Sequence, residues 1–282
     1  MATPDLTLST EPSPSQPLLD RLAPYVVGTL AAAVVGTWLI YTPPGLMAKA
    51  DAIAFAICHR LVEHSIMMGE QAMPLCARCT GIYLGALVGL VTMGALGRSR
   101  AGGLPRRSLI IVLLGFIAIM GVDGLNSYAT LLPGVPYLYT PQNWLRVVTG
   151  ALNGLALAAL IYPVFNQTLW RNWEDRPALG SFRELGLMLV IAAVVVALVL
   201  SNNLAILVPL ALLSVLGVLV LLVALNTTIL LLAIHRENRV TRWAGMLTPL
   251  LAGVTLTFIE IGAVDLVRLS IFHTWSGFGP LQ

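Results

Sequence analysis

Long apolar runs alternate with short polar links along this chain. A membrane-crossing helix needs roughly 20 mostly apolar residues. Runs of that kind extend from Pro24 to Tyr41, Thr80 to Leu96, Ser108 to Leu125 and Leu145 to Phe165. Between Glu184 and His235 no charged residue occurs, a stretch too long for one crossing. Ser201-Asn202-Asn203 breaks it into two. A last run extends from Trp243 to Val264. The pattern predicts an all-α polytopic transmembrane helical bundle of about seven spans.

The polar links carry the orientation signal. Arg98, Arg100, Arg106 and Arg107 follow the second run, Arg171, Arg176 and Arg183 the fourth, and Arg236, Arg239 and Arg242 the sixth. The links after the third and fifth runs hold no Lys or Arg. Alternate basic links belong in the cytoplasm, which predicts an N-terminus inside and a C-terminus outside. The link before the second run then lies on the extracytoplasmic face, although it carries Lys49, Arg60 and Arg78.

Composition agrees with a lipid bilayer as the surrounding medium. The chain is 57% hydrophobic and 10% charged, where soluble domains carry about 25% charge, and its mean hydropathy is +0.86. A net charge of +3 gives no reason to expect nucleic acid, and no protein partner is indicated. The setting expected is the cell (plasma) membrane. Residues 1–20, rich in Ser, Thr and Pro, read as a disordered tail rather than a signal peptide. Residues 21–166 then form the membrane module that bears the polar chemistry, and 167–282 supply additional transmembrane helices.

Unusual polar residues gather at the predicted outer ends of the runs. Asp123 and Asn126 close the third; Asn143, Arg146 and Thr149 open the fourth; Glu260, Asp265 and Arg268 lie toward the end of the seventh. Ionisable groups in such places are costly and often functional. The simpler readings are an interfacial anchor for Arg146, a mutual pair for Asp265 and Arg268, and Arg146 as partner for Glu260. Gly121 and Gly124 beside Asp123 predict close approach of another helix. Gly81, Gly85 and Gly89 share one helix face, and Gly150 and Gly154 repeat the device, so the second and fourth spans are expected to press together.

One polar window, Cys58 to Gly81, holds all three cysteines and two of the four histidines. Its Cys76-Ala-Arg-Cys79 spacing suits two chemistries. Two thiols so placed converge on one metal ion; with Cys58 and either His59 or His64 the set becomes Cys3His, a closed zinc-type site. The same spacing suits a redox dithiol near a helix N-terminus. A disulfide plus a spare thiol, or simple packing, needs no function at all. Arg78, between the two cysteines, is placed to lower their pKa or to bind an anion.

The window CHRLVEHSIMMGEQAMPLCARCTGIYLG resembles the signature of a family of prokaryotic integral membrane proteins catalogued as domain of unknown function 2085. The matching residues are Cys58, His59, Ser65, Pro74, Cys76, Arg78, Cys79, Thr80 and Gly81, then Asp123 and Gly124, then Asn143, Arg146, Thr149 and Gly150. The resemblance covers about Ala52 to Gly154. Such proteins often show Arg where this chain has His64, so the resemblance implies His59 as the fourth ligand. It implies where the site lies and no activity.

Three function classes follow. The first is a multi-pass membrane protein with an outer-face site of Cys58, His59, Cys76 and Cys79 for a zinc or iron ion. Arg78, Asp123, Asn143, Arg146 and Thr149 would support that site or contact a substrate. The second is a membrane thiol-disulfide oxidoreductase that cycles Cys76 and Cys79 against a quinone. The third is a small-solute transporter, ranked last because the charges cluster at one end and no internal repeat is found. The sequence does not decide whether the protein is an enzyme.

Overall fold

Seven helices of the computed structural model are long and apolar enough to cross a membrane. The structure describes residues 18–132, 134–273 and 275; the expected tail falls mostly on 1–17, outside the described residues. The spanning helices are α1 (Leu18–Tyr41), α3 (Ala77–Ala95), α4 (Arg107–Ala129), α5 (Asn143–Leu169), α6 (Phe182–Val199), α7 (Leu204–Ala233) and α8 (Leu247–Phe272). The polar break between α6 and α7 is real. Asn202 turns the chain at φ 54°, and Asn203 caps α7 by accepting from the Ala205 N–H at 3.0 Å.

One helix was not expected. α2 (Leu46–Ile57) has 12 residues, about 18 Å of rise, too short for a hydrocarbon core about 30 Å thick. Pro43-Pro44 separates it from α1, and its Ala50, Ile53, Ala54 and Phe55 are buried. It packs on α7 and α8 and on strand β2 (Gln71–Cys76). β2 pairs antiparallel with β1 (Ser65–Met68), turning at Gly69, whose φ is +65°. This helix and hairpin form the window before α3.

The tightest helix pair is α3 with α5, as the glycine spacing predicts. A Cβ on Gly81 would overlap the Val147 carbonyl, and one on Gly154 would overlap the Ile82 carbonyl. Without side chains there, backbones meet directly, and dispersion replaces the hydrophobic drive that lipid cannot supply. Gly121 and Gly124 behave otherwise: a Cβ on either meets nothing within 4 Å. Asp123 is reached by side chains, not by a close backbone. Large apolar residues such as Ile40, Ile111 and Leu125 remain exposed on the outer faces of α1 and α4, as lipid contact requires.

The basic links gather at one end. Arg98 pairs with Glu184. Strand β3 (Ala101–Gly103) runs parallel to β4 (Glu174–Pro177). The Arg100 guanidinium stacks 4.6 Å from the Trp170 ring centre. Because α3 runs from Cys76 to this end, the cysteine window lies at the opposite end of the bundle.

Glu260 does not meet Arg146. Its carboxylate accepts from Asn226 Nδ2 at 2.8 Å, within the α7–α8 contact. Asp265 accepts from Trp38 Nε1 at 3.2 Å, and Arg268 donates to the Phe55 and Cys58 carbonyls.

Candidate metal centre

Three elements bring the thiols together. α2 ends at Cys58, whose extended backbone (φ −120°, ψ 149°) breaks the helix. Arg60, at φ 54°, reverses the chain. The hairpin then returns through β2 to Cys76, which is both the last residue of β2 and the N-cap of α3. Cys79 follows in the first turn. Pairing of Ser65 with Cys76 fixes the register.

The sulfur atoms of Cys58, Cys76 and Cys79 all lie within 4.8 Å of one another. All three are free thiols; Cys58 and Cys76 are buried and Cys79 is half-buried. Tetrahedral thiolates at the usual zinc–sulfur distance stand about 3.8 Å apart. The cluster is therefore close to the size that one ion requires.

The environment favours negative sulfur. The Cys76 and Arg60 N–H groups point at Cys58 Sγ, at 3.4 and 3.5 Å. Hydrogen bonds from the Cys76 and Cys79 thiols, then those two N–H groups, draw the Cys58 thiol far below its ordinary range. Cys76 is pushed up to about 12, chiefly because it donates to Cys58. A soft cation bound here would replace the thiol protons that the three sulfurs share among them.

His59 is not brought into this convergence. Its Nδ1 accepts from the Leu61 N–H at 3.1 Å, and its ring meets His64 edge-on with centres 5.3 Å apart. Neighbouring side chains leave the chain in different directions, which separates His59 from Cys58. Burial lowers the pKa of His59, and it lowers that of His64 to about 4, so both imidazoles are neutral near pH 7.

Behind the thiols stands a polar lattice. Arg78 turns away from the sulfurs to Asp123, donating from Nε to Oδ2 at 3.1 Å and from Nη2 to Ser127 Oγ at 2.9 Å. Tyr139 Oη donates to Asp123 Oδ1 at 2.7 Å, and the Thr149 hydroxyl lies 3.3 Å from Oδ2. Asn143 Nδ2 donates to the Glu63 and Ser65 carbonyls, both at 3.1 Å. It thereby ties α5 to the start of the hairpin. Arg146 Nη1 donates to Asn143 Oδ1 at 2.7 Å. These contacts hold α3, α4, α5 and the hairpin in one arrangement around the C-x-x-C turn.

Tyr139 escaped the sequence reading, and Arg268 entered it only as a pair for Asp265. Arg268 of α8 braces the Cys58 carbonyl at 2.8 Å and lies over the Phe55 ring at 4.1 Å. Tyr139 sits in a link with no periodic pattern. Position toward the same end of the bundle as the cysteine window is the signal that both residues give.

Residues 58–160 match a family model described as predicted membrane protein (DUF2085). An uncharacterized protein of Methanothermobacter thermautotrophicus is 30% identical over 84 residues, covering 28% of this chain and 76% of that protein. The chain belongs to the DUF2085 family. A second relative, the uncharacterized protein MJ1492 of Methanocaldococcus jannaschii, is 29% identical over 123 residues, or 44% of this chain and 72% of its own length. No solved structure matches the chain. The DUF2085 segment opens at Cys58 and contains every thiol and every member of the polar lattice. The helices α1, α2, α6, α7 and α8 lie outside it.

Proposed function

We propose that this DUF2085 protein carries a thiolate metal centre for one zinc or iron ion, bound by Cys58, Cys76 and Cys79. The observation that carries the reading is the meeting of three free sulfurs within 4.8 Å of one another. Two backbone N–H groups point at one of these sulfurs, an environment suited to thiolate ligands. His59 completes a Cys3His set by exchanging its Leu61 contact for the ion. Its Nδ1 lone pair cannot serve both. Arg78, Asp123, Asn143 and Thr149 act as positioning residues that hold the C-x-x-C turn. The alternation of basic links supports an extracytoplasmic position for this centre.

Cobalt titration of the purified full chain tests the ligand set. Tetrahedral thiolate coordination gives an intense sulfur-to-cobalt charge-transfer band. The band is expected in the native chain, and Cys76→Ser should abolish it. His59→Ala should shift the d–d bands and weaken affinity. A His59→Ala spectrum identical to the native one would remove His59 from the set and leave a three-cysteine centre with an open position. No thiolate band in the native chain would end the metal reading.

A second reading draws on the lowered Cys58 thiol, a nucleophile poised beside two others. Here Cys76 and Cys79 form a disulfide with Cys58 as exchange partner, and the two electrons and two protons released pass to a quinone, which becomes a quinol. Quinone-dependent loss of two free thiols per chain is its signature, and Cys76→Ser would prevent it.

A further inference from the structure

A cleft of about 390 Å³ opens between the turn Val62–His64 and the link from α4 to α5. Its size falls in the range of small-molecule sites. Arg146 lies in its wall with Glu63, His64, Thr130, Tyr137 and Thr140. All of these residues fall within the family match at 58–160.

Two independent features call for negative charge there. The first is Arg146 itself. It is 4% exposed, yet among the described residues no carboxylate pairs with it. Its Nη1 donates to the neutral Asn143 side chain, and its Nε is buried without a partner. The nearby carboxylate, Asp123, is engaged by Arg78 and Tyr139. A buried cation left in this state is costly.

The second is the start of α5. This helix runs 27 residues from Asn143, with no side-chain cap at Gln142 and no acidic residue in its first turn. Its free N–H groups and the positive end of its dipole are suited to an anion. Thr140 and Pro141, just before it, form part of the cleft.

We propose that this cleft binds a small organic monocarboxylate, gripped by the Arg146 guanidinium at the N-terminus of α5. A planar fork matches a carboxylate with two parallel hydrogen bonds. Tyr137 and Thr140 line another part of the cleft. Exposed Glu63 at the rim repels a second negative charge, which sets the preference for one carboxylate over a dianion. The His64 ring in the wall packs against His59, the residue that follows Cys58 in the chain. The proposal does not rest on a metal being bound there.

The test uses the full chain in detergent, with benzoate and acetate as probes and inorganic phosphate as the competing anion. Benzoate is expected to raise the unfolding midpoint saturably. Arg146→Lys should weaken it about tenfold or more, since the point charge of Lys loses the fork. Arg146 is buried and its variant risks misfolding, so Glu63→Gln, on the exposed rim, is the second variant. It should tighten benzoate several-fold. Benzoate binding indifferent to both changes would overturn the proposal, as would phosphate binding with both carboxylates silent. A cleft that binds benzoate while the chain holds no metal would leave the proposal intact and count against the metal reading alone.

Discussion

Arg78, between the two cysteines of the C-x-x-C motif, donates from Nε to Oδ2 of Asp123 at 3.1 Å, joining the first turn of α3 to the last turns of α4. The side chains are 13% and 2% exposed, so this is a buried ion pair. Removing one partner of such a pair strands the other charge, at about 3–5 kcal/mol. Arg78→Ala and Asp123→Ala should each lower the unfolding midpoint in detergent sharply. The double variant should cost clearly less than the sum of the two. Strictly additive losses would show that the pair does not couple.

The α3–α5 seam makes a second, purely steric prediction. Gly154→Ala drives a methyl group into the Ile82 carbonyl, and a rigid helix backbone cannot yield cheaply. Overpacking of this kind costs about 1–3 kcal/mol. Gly115→Ala, where nothing lies within 4 Å of the new Cβ, should be neutral or slightly stabilising from helix propensity. Thermal unfolding of the two variants side by side checks the contrast.

Tyr139 supplies a pH test away from the thiols. Its phenol is pushed up to about 12, by burial first and then by its hydrogen bond to the Asp123 carboxylate. The ordinary value is about 10. Between those values the folded chain keeps a proton that the unfolded chain releases. The contribution is therefore full below about pH 10 and lost as pH rises toward 12. Tyr139→Phe should flatten the decline of the unfolding midpoint over that interval. An unchanged slope would contradict the assignment.

Much of this architecture is legible in the sequence because a bilayer permits few solutions. Seven apolar runs, the Ser201-Asn202-Asn203 break and the glycine faces of α3 and α5 each follow from a local rule. Cys76 and Cys79 are legible for a similar reason, since their spacing and the start of α3 bring them together. What stayed hidden depends on contacts far apart in the chain. α2 is apolar but too short to register as a span, and the hairpin is marked only by Gly69. Trp38 with Asp265, and Arg268 with the Cys58 carbonyl, depend on how α8 packs against α1 and α2, which no local pattern encodes. Asn226, inside the apolar run of α7, gave no hint that it would be the partner of Glu260.

The most direct measurement is metal content per chain, on protein purified without chelator or reductant, with free thiols counted on the same sample. The account predicts about one zinc or iron per chain, lost in Cys76→Ser. A metal-free chain whose Cys76 and Cys79 react only after reduction would contradict it and support the thiol–disulfide reading.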